Sequence, residues 1–128
     1  MIQTNFLCVI SNFVFAQQKT LQKEKYTKDL LTHKWLIKKA VHNGKTVVMH
    51  NSIKAYMIFA KSGILTFIGG GQVEEQSWTY IPAKRIIKLR DLKTKEDLGD
   101  LEIIKVDTKE LVIYNKPDND LIYLVRVD

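Results

Sequence analysis

The chain has 128 residues, 45% hydrophobic and 27% charged, with a formal net charge of +6. One domain of this length buries a core without help from disulfides or metal. The positive excess lies in residues 17–61, ten Lys against Glu24 and Asp29, but Arg is limited to Arg85, Arg90 and Arg126, which argues against a nucleic-acid reader and leaves a solvated Lys face or one that meets an anionic surface.

The first sixteen residues, MIQTNFLCVISNFVFA, carry no charge and end in Val14-Phe15-Ala16, a small-residue cleavage pattern. The expectation is a secretory signal peptide over 1–16, an exported protein, and a mature domain over 17–128. The run is too short for a transmembrane helix. Cys8 is the single cysteine, and the bulky Asn5-Phe6-Leu7 before it do not suit a lipoprotein cleavage site. Cleavage after Ala16 leaves a chain with no cysteine, which excludes disulfides, thiol catalysis and zinc–thiolate sites together.

Residues 19–33 read as a short helix with Thr20 placed to cap it. Short apolar runs with punctuation follow. KWLIKKAV and TVVMH flank Asn43-Gly44, a strong hairpin signal because a type I′ turn needs positive φ at both central residues. KAYMIFA, ILTFI, VEEQSWTYI, RIIKLRD, LEIIKV, LVIYN and LIYLVRV succeed one another, separated by turns at Ser62-Gly63, Gly69–Gly71, Pro82, LKTKEDLGD, DTKE and KPDND. About eight or nine strands at this spacing predict an all-β, up-and-down antiparallel barrel. The last strand of such a barrel closes on the first. Antiparallel closure brings Trp35, at the start of the first strand, to Arg126, at the end of the last, and sets a guanidinium over an indole at the closed end.

A short helix, a Trp opening the first strand and an Arg from the final one resemble the lipocalin and fatty-acid-binding superfamily. The span Leu30 to Val127 is similar, more closely, to the small lipocalin-like domains of exported bacterial proteins. Those carry a Leu, a Gly-x-Trp opening, a Phe-bearing strand before a Gly turn, and a second Gly-x-Trp. The matches here are Leu31, Trp35, Phe59, Gly63 and Trp78, with His33 and Gln76 at the two Gly-x-Trp glycine positions. The resemblance implies a lipocalin-like barrel with a short N-terminal helix that takes a small hydrophobic molecule.

Catalytic signatures are missing. Gly69–Gly71 is followed by acidic, strand-like residues and no helix, so it reads as a turn and not a phosphate cradle. Glu74 and Glu75 are adjacent on a strand and point to opposite faces, which prevents them from flanking one bond as acid and base. His33, His42 and His50 lack metal spacing, and no nucleophile elbow is present. The reading is a protein that is not an enzyme and needs neither metal nor cofactor.

Strict alternation from Trp35 points Ile37, Lys39 and Val41 into the barrel, and carries Thr46, Val48 and His50 with them across the hairpin. Trp78 takes Gln76 and Tyr80 to the inside. The candidate ligand-binding residues are therefore Lys39, His50, Trp78 and Tyr80, with Lys39 at the mouth to hold an anionic head group or to snorkel into solvent. AYMIFA, ILTFI and LIYLV are apolar on both faces, however. That pattern also fits a barrel with a filled interior whose outer face docks a protein or an anionic surface.

Overall fold

The protein is described by a computed structural model over residues 25–48 and 54–128. Residues 25–31 are helical. Nine strands follow among the described residues: β1 (Lys34–His42), β2 (Lys45–Val48), β3 (Tyr56–Phe59), β4 (Ile64–Gly69), β5 (Gln72–Ile81), β6 (Ile86–Arg90), β7 (Asp97–Val106), β8 (Glu110–Asn115) and β9 (Asp120–Arg126). Pro82 stops β5 and opens a single 3₁₀ turn, Pro82–Lys84, because it has no N–H for the ladder. The predicted helix over 19–33 ends at residue 31, and its first part, with the proposed signal peptide, lies outside the described residues.

Every pairing is antiparallel, and β9 returns to β1 to close the sheet. β2 and β3 both pair with the same edge of β1. β2 runs along residues 39–42 and β3 along 34–36, in the same direction. They are one barrel strand in two pieces. Nine segments therefore fill eight positions in an antiparallel closed barrel, which settles the strand number left open by the sequence. Asn43 and Gly44 have φ of 51° and 80°, the two left-handed residues of the β1–β2 turn.

The core lies toward one end of the barrel, where β1 and β4 begin and β3 and β9 finish. Leu31, Trp35, Phe59, Ile87, Leu111 and Leu124 are fully buried there, and Ile113, opposite Ile122, is fully buried above them. The helix closes this end through Leu31. The Trp35 indole fills the space beneath it and donates Nε1–H to the Leu31 carbonyl at 3.0 Å, so a helix-terminal acceptor is satisfied in the interior. Trp78 donates to the Ala60 carbonyl at 2.9 Å and meets Phe59 edge to face with ring centroids 5.2 Å apart. Both Trp residues thus bury large rings without stranding a polar N–H.

Candidate functional site

The opposite end of the barrel has a different lining. Register and alternation place Ala40, Ala55, Met57, Phe67, Gly69, Glu74, Gln76, Leu89 and Ile122 along its inner wall. Small and polar side chains, Ala40, Ala55, Gly69, Glu74 and Gln76, are mixed there with the apolar ones. Phe67 lies on the face of its buried neighbours Leu65 and Met57, yet it is 37% exposed. Val47, opposite Ala40, shares the inner face and is 54% exposed. Gly69 makes room for the Phe67 ring. A Cβ on Gly69 would stand 3.2 Å from the Ala55 Cβ and 3.3 Å from Phe67 Cε1.

Lys39 does not face this wall. A β-bulge separates Ile37, paired with Leu124, from Lys39, paired with Tyr123. Lys38 is the extra residue, and the alternation reverses beyond it. Ala40 therefore points inward against Ile122, and Lys39, Val41, Thr46 and Val48 share the outer face. The Lys39 ammonium sits 4.5 Å from the centre of the Tyr123 ring, a cation–π contact at the surface. The inward placement expected for Lys39, Val41, Thr46 and Val48 is corrected by this one residue. His50 lies outside the described residues. Trp78 is buried, and Tyr80 packs partly buried against the same core. Those two come together in the wall, apart from Lys39.

Trp35 and Arg126 stand directly opposite in the β1–β9 register. The guanidinium is engaged by Asp128, whose Oδ1 accepts from Arg126 Nε at 3.1 Å. The other oxygen of Asp128 accepts from the Lys34 backbone N–H at 3.2 Å and lies 3.3 Å from His33 Nδ1. Burial pushes the Asp128 carboxyl up, but the hydrogen bonds from Lys34, His33 and Arg126 outweigh it and hold the group below the usual carboxylate range.

A second polar cluster fastens the rim, and sequence reasoning did not find it. His42 Nδ1 bonds Asp120 Oδ1 across the β1–β9 closure. Asn43 Nδ2 lies 3.1 Å from His42 Nε2, Asn119 Nδ2 donates to Asn43 Oδ1 at 3.0 Å, and Tyr114 donates to Asn119 at 3.0 Å. The β1–β2 and β8–β9 hairpins are thereby tied at their tips. The visible trace in sequence is only that Asn43 and Asn119 suit left-handed turn positions, at φ 51° each. Their contact spans most of the chain. Lys88, by contrast, is on the outer wall, paired with Asp97 at 2.5 Å and Asp100 at 3.1 Å. Among the described residues, no three His, Cys, Asp or Glu side chains converge as metal ligands, and no helix is long and apolar enough to cross a membrane.

A closed, up-and-down barrel of eight antiparallel positions, plugged at one end by a short helix and a Trp from the first strand, is a lipocalin-like fold. The chain shares it with a lipocalin-like protein from Bacteroides uniformis ATCC 8492, at a TM-score of 0.60 and 10% sequence identity over 77% of this chain and 99% of that one. Identity at that level carries the fold alone. No protein-family model matches the chain, and a search of curated proteins returns no match.

Proposed function

We propose that the chain binds a small hydrophobic or amphipathic molecule in the open half of its barrel. The observation that carries this reading is the contrast along the inner wall. Inward apolar side chains at the closed end are buried, whereas Phe67 and Val47 on the same face remain exposed at the other. Apolar surface that faces inward and stays wet is surface a ligand stabilises by covering. Trp78 and Tyr80 supply the aromatic side of the wall below it, and Ala40 adds only a methyl group to its upper part.

An apolar fluorescent dye, 1-aminoanthracene, should bind the full chain with one-to-one stoichiometry. Ala40→Trp puts a large ring into the mouth opposite Ile122 and should abolish dye binding with little change in melting temperature. Failure of the parent chain to bind any apolar probe overturns the reading in favour of a filled barrel that presents its outer face to a protein partner. Export is part of the proposal. It rests on the uncharged stretch ending at Ala16, and N-terminal sequencing of protein recovered outside the cytoplasm should begin at Gln17.

A further inference from the structure

Glu74 is on the inner wall. The β4–β5 register sets it opposite Phe67 and sets Gln76 opposite the buried Leu65, and alternation along β5 leads on to the buried Trp78. Six other carboxylates are paired with cationic side chains or a histidine: Asp97 and Asp100 with Lys88, Asp107 and Glu110 with Lys105, Asp120 with His42, Asp128 with Arg126. Among the described residues, no hydrogen bond or ion pair engages the Glu74 carboxylate. Its place is the point where the apolar wall ends, one strand from Phe67 and two from the buried Met57.

Other charges on the inner face do not compete at that depth. His42 is held by Asp120 and Asn43. Lys45, opposite His42, stands at the exposed tip of the β1–β2 hairpin, whereas Glu74, also exposed, is set directly against Phe67 by the β4–β5 register. A ligand whose apolar end covers Phe67 and Met57 therefore brings its head group to a carboxylate.

We propose that Glu74 makes the barrel selective for a cationic amphiphile, an alkyl or aryl group ending in a protonated amine. This rests on the reading that the open half of the barrel binds an apolar molecule. The net charge of +6 repels cations at long range, so any preference for one must arise locally.

The test is displacement of 1-aminoanthracene from the full chain by dodecylamine, dodecanol and dodecanoate at neutral pH, each below its micelle concentration. Dodecylamine should displace the dye at a concentration about fivefold lower than dodecanol, the size expected of one partly solvated charge pair, with dodecanoate weakest. Glu74→Gln should erase the gap between amine and alcohol, leaving the dodecanol midpoint and the melting temperature in place. Glu75→Gln removes the same charge from the outer face and should preserve the gap. Equal displacement by dodecanoate and dodecylamine, or a preference that survives Glu74→Gln, overturns the assignment while the barrel site stands. A chain that binds neither the dye nor any of the three probes overturns both.

Discussion

At the scale of single residues, the closed end depends on groups that satisfy each other across long sequence distances. Trp35 is useful there because one side chain provides both a large apolar ring and an N–H for the Leu31 carbonyl. Phe would fill the space and strand the acceptor, at about 1–3 kcal/mol for an unsatisfied buried group. Asp128 acts from the other side, tying Lys34, His33 and Arg126 together. Its carboxyl is lowered from the ordinary 3.8 in the fold. The stability it lends is complete above the unfolded value and disappears as pH falls through the lower, folded one. Asp128→Asn should therefore lower the urea midpoint at neutral pH, and the gap to the parent chain should close as the pH falls below the ordinary carboxylate range. Asp91, Asp97 and Asp107 are lowered too, chiefly by backbone N–H groups at Asp91 and Asp107 and by Lys88 at Asp97, so the parent chain loses stability from several groups together. Only the difference between the two chains reports on Asp128. A gap that stays constant across the acid range would mean that its contribution is not ionic.

At the scale of elements, the turns and most strands are legible in sequence because their signals are local. Asn43-Gly44, Pro82 and the two-residue periods of ILTF and EIIKV lie within a few residues of what they cause. The β1 bulge is not legible. Lys38 and Lys39 are chemically identical neighbours, and nothing in the string marks one of them as extra. Alternation therefore places Trp35 and Ile37 correctly and fails for Lys39, Val41, Thr46 and Val48 beyond the bulge. The bulge yields a prediction opposite to the usual rule for deletions in strands. Removing Lys38 joins Ile37, opposite Leu124, directly to Lys39, opposite Tyr123, and keeps both partners. The deleted chain should fold with the same register and lose no more than about 1–2 kcal/mol. Amide contacts between Ala40 and Ile122 by NMR would check it. A register slip, with Ala40 against another residue, would show that the bulge is needed to position the upper strand.

At the scale of the whole molecule, ring closure joins two halves with different energetics. β1 and β9 run together along nearly their full length, from Trp35 against Arg126 to His42 against Asp120, so this one seam crosses both halves. Its lower part is backed by Leu31, Ile37, Leu111 and Leu124, all buried. Its upper part is backed by Ala40, the partly buried Ile122 and, beside it, the buried Ile113, and above these only the His42–Asp120 and Asn43–Asn119 bonds hold the tip. Local opening costs most where apolar contacts must be broken and least where the backing is small or wet. Amide hydrogen exchange along the seam should therefore be graded, slowest near residues 35–37 and 124 and fastest near 40–42 and 120–122. Added dye or dodecylamine should slow the upper group and leave the lower group unchanged, because a ligand protects only the openings it opposes. Uniform protection along the seam without ligand would mean that the upper half is packed as tightly as the lower. The exposed faces of Phe67 and Val47 would then be sealed in solution, and the interior would have no room for a guest.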